Sequence, residues 1–297
     1  MRRDLGKAAF VAPLRHRAGL PPRAPGQHAL LDEGAITAHD CVCHVGARSP
    51  AGTGEYSRVC VSVIVGGAFH ARSSEGAALA APGALLLGNS ASGYTFRHVD
   101  DGGDRSLVFR YADAVVDEVS SALGLRARAA RPFARACLPA SSATAEAAVR
   151  AQVALGAGDA EALREAALFA LGSALAVDRG VSAAAEVQRS PAQVRRVTQV
   201  LRFIETHSSE DCSNATLCAR AQLSSFHFLR LFHALTGQTP RQFVIHTRLR
   251  RAAVALRTTR DPITRIAMDV GFGDLSHFVG SFTRTFGDSP RGYRKRS

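Results

Sequence analysis

The 297 residues, 46% of them hydrophobic, suffice for about two domains with packed cores. No apolar run approaches the ~18 residues of a membrane helix, which argues against a membrane-spanning protein. The net charge of +12 is uneven, because residues 191–297 hold 17 Lys or Arg against 7 Asp or Glu. A concentrated positive field attracts phosphate backbones, although a solvated basic surface would have the same composition.

The N-terminal segment, residues 1–30, is rich in Arg, Pro and Gly and is predicted to be poorly ordered. It lacks the compact apolar run and small-residue cleavage site of a signal peptide, so we expect a cytoplasmic protein. The six cysteines show no repeated CxxC spacing. In a cytoplasmic chain of this size, such cysteines indicate reduced thiols and no disulfide framework.

Between residues 31 and 112, short apolar runs alternate with turn signals. Residues 59–65 are a mainly β-branched run that ends at Gly66-Gly67, and Leu85-Leu86-Leu87 lies between Pro82-Gly83 and Gly88-Asn89. Strands spaced by about 8–12 residues indicate an antiparallel barrel or jelly roll. We predict an α+β protein that begins with an antiparallel β-barrel over residues 31–112.

Over residues 113–180 the composition becomes Ala-rich and typical of helices. We expect these helices to pack against the barrel or against a second subunit. Residues 181–190 are predicted to be a linker. Ser190-Pro191 supplies an N-cap and a proline at the first helical position, so an all-α domain is predicted over residues 191–297.

This last domain contains an internal duplication, and each copy is predicted to be a helix-turn-helix unit, over residues 214–235 and 262–285. In the first unit, Ser213 or Asn214 can cap a short helix and Ser224 the next one. In the second unit, Asp261-Pro262 and Asp274 have these roles. Four residues of one copy recur fifty positions later in the other: Phe228/Phe278, Phe232/Phe282, Gly237/Gly287 and Pro240/Pro290.

The second helix of each unit carries an apolar stripe for the core and a free opposite side, an arrangement that a DNA major groove admits. A long connecting helix, predicted over Arg241 to Thr258, can hold the two reading helices about one DNA turn apart, roughly 34 Å. Two helical hairpins without a DNA function are the alternative. The candidate DNA-binding residues are Ser225, Phe226, Leu229, Arg230, His233, Leu275, Ser276, Val279, Gly280, Thr283 and Arg284.

Residues 194–296 also resemble the AraC/XylS family of bacterial transcription regulators. The resemblance rests on the motifs Leu217-Cys218 with Ser224, Gly237-Gln-Thr-Pro240, Arg248-Leu249-x-x-Ala252, Ile266-Ala267-x-x-x-Gly271-Phe272, Ser276-His277-Phe278 and Gly287-Asp288-Ser289-Pro290-Arg291-Gly292-Tyr293-Arg294. It implies a DNA-binding domain that places one helix of each unit in the major groove.

The resemblance assigns base-reading roles to part of the candidate set, namely Phe226, Leu229, Arg230, Leu275, Ser276, Val279 and Gly280. Two positions depart from the family pattern. Cys218 stands where the family usually has Ala, with no obvious consequence. Gly280 stands where it usually has Arg, so the second reading helix lacks its best guanine-reading donor. We predict that Arg230 carries most base discrimination, whereas the second unit positions the protein through Arg284 and main-chain contacts.

The N-terminal region is similar to the cupin-like sensor barrel of the same group. The similar motifs are Phe69, Pro82-Gly83, Leu85-Leu86-Leu87 and His98-x-x-x-Gly102-Gly103-Asp104. This resemblance implies a barrel that binds a small effector and helps the chain to dimerise. Residues 113–180 would then be a dimerisation layer.

The residues fit other functions less well. Catalytic cupins need a His-x-His pair to hold a metal, but His70 and His98 are isolated in the sequence, so no enzyme and no cofactor are predicted. A metal- or thiol-sensing regulator would use Cys41, Cys43 and His44, whose donor atoms suit zinc or copper(I). On a strand, however, the two cysteines share one face and His44 takes the other. An architectural DNA-binding protein would not need the large apolar barrel.

The sequence thus predicts a sequence-specific transcription regulator whose N-terminal domain senses a small effector. The expected partners are double-stranded DNA, an unidentified effector, a second copy of the chain as a homodimer and, as a further candidate, RNA polymerase. No membrane partner is expected.

Overall fold

The computed structural model describes residues 23–125, 130–178 and 190–296. The N-terminal region is built mainly of antiparallel strands. In chain order they are β1 Gly26–Asp32, β2 Ile36–Cys43, β3 Gly52–Glu55, β4 Val59–Gly67, β5 Phe69–Ser73, β6 Gly76–Ala80, β7 Leu85–Gly88, β8 Gly93–His98, β9 Asp104–Tyr111 and β10 Cys137–Leu138.

Ten helices belong to the described residues. They are α1 Asp113–Ala122, α2 Ser142–Ala157, α3 Ala160–Asp178, α4 Pro191–His207, α5 Asn214–Ala221, α6 Ser225–Thr236, α7 Pro240–Thr258, α8 Ile263–Asp269, α9 Leu275–Phe286 and α10 Pro290–Lys295. Helices lie in both segments for which the sequence predicted them, but strand β10 lies inside the predicted helical segment 113–180 and pairs with β7. No described helix has the length and apolar character needed to cross a membrane.

The strands form two sheets. One has six strands in the order β1-β2-β9-β4-β7-β10, and the other has four in the order β3-β8-β5-β6. Hydrogen bonding does not join them into one closed barrel in the described part of the chain. The structure therefore supports an antiparallel β-region, and the finer expectation of a cupin-like barrel is not confirmed.

The six-stranded sheet is the middle layer of this region. One of its faces packs against α2 and α3 through a core that includes Val61, Phe109 and Leu171. Strands β4 and β9 are buried along almost their whole length, which explains the apolar run that predicted a strand at residues 59–65. The buried Tyr111 hydroxyl donates a hydrogen bond of 2.8 Å to the Ala167 carbonyl oxygen and ties β9 to α3.

Two expectations about irregular segments have different outcomes. Strand β1 begins at Gly26 and pairs with β2. Residues 26–30 were predicted to be poorly ordered, but their backbone hydrogen bonds to β2 make them part of a sheet. Residues 1–22 lie outside the described residues. The predicted linker also lies outside them, except for Ser190, which caps α4 by accepting a hydrogen bond from the Gln193 backbone N–H.

The C-terminal helices do not pack only on one another. Val149 of α2 is fully buried in the core of the second helix-turn-helix unit, with Leu249 and Phe278. Ala68 and Val99, from the ends of strands, join the core of the first unit. The helices of residues 113–180 were expected to pack on the strands or on another subunit, but α2 also packs on the C-terminal helices.

Candidate DNA-binding site

The first helix-turn-helix unit consists of α5 and α6. Ser213 caps α5 by accepting a hydrogen bond of 3.3 Å from the Thr216 backbone N–H, and Gln222 ends this helix in the left-handed region with φ 52°. Ser224 occupies the N-cap position of α6, but its side chain makes no capping hydrogen bond. Helix α6 ends at Gly237, whose φ of 74° suits a residue without a Cβ.

The second unit repeats this design with α8 and α9. Its turn contains Gly271, with φ 100°, and Asp274 caps α9 by accepting a hydrogen bond of 2.5 Å from the His277 backbone N–H. The N-cap of α8 is Pro262, which makes no side-chain capping bond. The sequence predicted that Asp261 caps this helix and that Pro262 is its first residue. In the structure Pro262 is itself the N-cap, so the helix begins one residue later than predicted.

Helix α7 connects the two units as one continuous helix. Thr239 caps its start, and the Thr239 and Gln242 side chains each bond the other's backbone N–H in a capping box. With 19 residues, the helix is about 28 Å long at ~1.5 Å per residue. Its inward residues are buried as predicted: Phe243, Leu249, Ala252, Ala253 and Leu256.

The predicted buried and free sides of the reading helices are both present. Phe228 and Phe232 of α6, and Phe278 and Phe282 of α9, are fully buried. On the opposite sides the candidate DNA-binding residues reach solvent, because each helix is held by only one stripe. Leu229 and Val279 are half-buried, and the others are exposed: Ser225, Phe226, Arg230, His233, Leu275, Ser276, Gly280, Thr283 and Arg284.

Phe226 is the most conspicuous of these residues, since 72% of its surface is exposed. The Arg230 guanidinium lies 5.5 Å from the centre of the Phe226 ring, one turn further along the same helix. An apolar ring and a cation thus lie together on the free side of α6. This pair can offer a thymine methyl an apolar contact and a guanine two donors.

The prediction omitted two exposed histidines in the first turns of the reading helices, His227 and His277. They occupy equivalent positions in the duplication. The repeat itself was a signal for them, because the sequence places both at the third residue of a helix that was already predicted.

The basic charge is divided between the surface and the interior. Arg248 donates to the carbonyl oxygens of Ser208 and Glu210, and Arg251 donates to the Ser208 hydroxyl. Arg250 is buried, and desolvation lowers its pKa to about 10. Part of the positive charge therefore holds the fold, and an estimate of DNA attraction from the net charge alone is too high. The exposed arginines of the helical region include Arg195, Arg220, Arg230, Arg241, Arg260, Arg265, Arg284, Arg291 and Arg296.

The predicted metal donors Cys41, Cys43 and His44 are not brought together within residues 23–125, 130–178 and 190–296. Partial burial raises the pKa of the Cys41 thiol, on the less buried face of β2, to about 12. Cys43 instead lies 3.1 Å, from Sγ to Nε2, from His98, one of the two histidines that the sequence presented as isolated. Their proximity results from sheet pairing between distant segments.

The fold and the two exposed helix faces define a double helix-turn-helix protein. Residues 217–296 match the family profile described as a helix-turn-helix domain. Regulatory protein SoxS of Salmonella typhimurium is 32% identical over 100 residues, which are 34% of this chain and 94% of SoxS. The chain belongs to the AraC/XylS family of transcription regulators, as its motifs predicted.

Other relatives match over the same third of the chain. The transcriptional activator RhaS of Enterobacter sp. (strain 638) is 36% identical over 100 residues, or 34% of this chain and 36% of RhaS. The regulator MtrA of Neisseria gonorrhoeae is 30% identical over 103 residues, or 35% of this chain and 34% of MtrA. The match thus spans about a third of the length of these two full-size relatives. These relatives are named as regulators of transcription.

Two solved structures resemble the chain in part. The DNA-binding domain of AdpA in complex with a target DNA is 31% identical, covering 34% of this chain and 91% of that domain, with a TM-score of 0.33. The apo form of a ToxT variant from Vibrio cholerae is 11% identical, covering 89% of this chain and 98% of ToxT, with a TM-score of 0.36.

Proposed function

We propose that this protein is a sequence-specific DNA-binding regulator of transcription that places α6 and α9 in successive turns of one major groove. The observation that carries the proposal is the repeated geometry of these helices. Each is anchored by two buried phenylalanines and leaves its other side exposed. The continuous helix α7 between the units fixes their separation.

The two reading helices have different roles in this proposal. Arg230 has a free guanidinium side and a supporting aromatic ring, so α6 discriminates between bases. At the equivalent position of α9, Gly280 has no side chain, so α9 positions the protein through Arg284, Thr283 and main-chain groups. Leu229, Ser276 and Val279 contribute apolar or short polar contacts. Phosphate contacts fix the register, whereas base contacts carry sequence information.

The N-terminal region is proposed to be a cupin-like sensor that binds a small effector, with the helices of residues 113–180 as a dimerisation layer. Its contacts with the DNA-binding helices support this role. Arg202 of α4 pairs with Asp100, and the Tyr293 hydroxyl donates a hydrogen bond of 2.7 Å to Glu146 Oε2. An effector that moves the strands or α2 would thereby alter how the reading helices are presented, and ligand and DNA affinities would be reciprocally linked.

Selection of DNA from a random pool by the purified full chain, followed by footprinting of the enriched sites, tests the proposal. We expect a motif with two elements about 10–10.5 base pairs apart. Arg230→Ala should weaken the information content of one element, and Gly280→Ala should leave both elements readable. Recovery of unrelated sequences, with equal affinity for all of them, would contradict sequence-specific binding.

A further inference from the structure

Three metal-ligating side chains converge at one end of the two sheets. Cys43 ends β2, His98 ends β8 and Asp104 begins β9. One donor atom of each lies within 4.8 Å of those of the other two. Cys43 and Asp104 are paired residues of neighbouring strands, so the sheet register itself fixes this proximity.

The His98 ring is held between the other two donors. Its Nε2 atom lies 3.1 Å from Cys43 Sγ, and its Nδ1 atom lies 3.2 Å from Asp104 Oδ2. The rings of Phe69 and Phe96 pack against it, with centroid distances of 6.2 and 5.7 Å. The imidazole orientation is therefore set by packing before any ligand arrives.

The cluster contains buried polar atoms without a hydrogen bond. The side chains of His98 and Asp104 are only 4% and 8% exposed. His98 Nδ1 and Asp104 Oδ2 face each other at 3.2 Å as an ion pair, and neither atom makes a hydrogen bond with any described residue. Buried polar groups are usually satisfied, and a cation at this place would satisfy both.

We propose that Cys43, His98 and Asp104 bind a divalent cation that accepts thiolate and imidazole ligands, of which Zn²⁺ is the type. Zinc binds thiolate sulfur at about 2.3 Å, imidazole nitrogen at about 2.0–2.1 Å and carboxylate oxygen at about 2.0–2.2 Å. Three protein donors leave one tetrahedral position, which a water fills in sites of this kind. The cation replaces the thiol proton of Cys43, which passes to solvent. This donor set shares only Cys43 with the one the sequence suggested.

The site lies where the strands meet the DNA-binding helices. Gly103, next to Asp104, accepts a hydrogen bond of 3.0 Å from Arg202 Nη2 of α4, and Asp100 accepts from the same guanidinium. The Gly67 backbone N–H donates a bond of 3.2 Å to Glu205 Oε1, also on α4. Gly67 touches Asp104 so closely that a Cβ on Gly67 would lie 2.6 Å from Asp104 Cα.

We therefore expect cation binding to alter the contacts that hold α4 against the strands. Gathering three donors around one ion shifts the turn between β8 and β9, which carries both partners of Arg202. We infer that the cation changes DNA affinity through this turn. This second step rests on the proposed function, whereas the binding site does not.

Titration of the metal-free full chain with Co²⁺ and Zn²⁺ tests the site without DNA. We expect one equivalent of Co²⁺ to give a thiolate-to-cobalt charge-transfer band that Zn²⁺ abolishes. Cys43→Ser should remove the band. His98→Gln and Asp104→Asn should each weaken binding at least about tenfold, because loss of even a residue that only supports a ligand costs about that much. Cys41→Ser is the matched control, because Cys41 lies on the same face of β2 but outside the cluster.

Circular dichroism shows which variants are folded, and the three substitutions of different donors keep the test valid if one of them unfolds. Absence of the band in folded wild-type protein, or its persistence in Cys43→Ser, would overturn the site. Rapid alkylation of Cys43 without metal binding would also overturn the metal site and would show that Cys43 is a reactive thiol.

The link to α4 is tested by DNA affinity with and without Zn²⁺. We expect a Zn²⁺-dependent change in wild-type protein and in Cys41→Ser that is lost in Cys43→Ser. Arg202→Ala should bind Zn²⁺ normally but respond less on DNA. Binding of Zn²⁺ with an unchanged DNA affinity would overturn the link and leave the site standing. Failure of all variants to bind DNA would instead contradict the proposed function.

Discussion

Arg230 and Gly280 occupy equivalent positions in the two reading helices, fifty residues apart, and both face solvent. The buried halves of the two units are alike, with matching phenylalanines and left-handed terminal glycines. The two copies of the duplication therefore agree in their cores and differ on their outer faces. Under the proposed function, this difference gives base discrimination mainly to the first unit.

Replacing Arg230 with Ala should weaken binding to the selected DNA site by about 1–3 kcal/mol and relax specificity at one position. The loss arises because only a guanidinium offers guanine two donors in one plane. Binding competition with single-base variants of the site measures it. Arg230→Lys keeps the charge without the bidentate fork, so it should lose specificity but little non-specific affinity. An equal loss on scrambled DNA would show that Arg230 contacts only phosphate.

Replacing Gly280 with Arg should give the second unit a base contact. A Cβ at Gly280 would meet nothing within 4 Å, so the folded helix can accept the longer side chain. We expect tighter DNA binding. The slope of log affinity against log salt concentration should become steeper by about one, as expected for one added cationic contact. Gly280→Ala is the matched control, because it also stabilises the helix, by roughly 0.5–1 kcal/mol, without adding charge. Identical DNA affinities for the two variants would contradict a base-facing position at residue 280.

The turn of the second unit depends on Gly271. Its φ is 100°, and a Cβ there would lie 2.7 Å from the Ser209 backbone Cα atom. Gly271→Ala should lower the free energy of unfolding by about 1–3 kcal/mol from backbone strain alone, with the steric conflict adding to it. Gly273→Ala, two residues later, should have little effect, since a Cβ at Gly273 meets nothing within 4 Å. Denaturant unfolding compares the two variants, and equal stabilities would refute the assigned turn geometry.

The local parts of the fold could be predicted from the sequence because their determinants are local. Caps, left-handed glycines and apolar stripes depend on residues that are close in sequence. As predicted, Ser190 caps a helix, Gly237 ends one in the left-handed region and Phe228 is buried. Long-range packing could not be predicted in this way. Nothing near Val149 shows that it completes the core of the second unit. Likewise, Cys43, His98 and Asp104 are distant in sequence and meet only through the register of the sheet.

Acid stability should depend on Glu75, whose carboxylate lies in the turn between β5 and β6 and accepts several hydrogen bonds. Burial alone would raise the pKa of Glu75, but hydrogen bonds from Asn89, Ser73 and Ser74 outweigh this and lower it from 4.5 to about 2. The folded state thus holds the proton less tightly than the unfolded chain, and the carboxylate stabilises the fold above the unfolded pKa. This contribution disappears as the pH falls from 4.5 to about 2.

Glu75→Gln should accordingly be less stable than the wild type near neutral pH, and the difference should shrink on acidification through that window. Unfolding by denaturant at a series of pH values measures both free energies. Glu55→Gln is the control, because Glu55 is exposed on β3, and its difference from the wild type should be small throughout. If the difference in unfolding free energy between Glu75→Gln and the wild type stays constant with pH, these hydrogen bonds do not stabilise the charged form of the carboxylate.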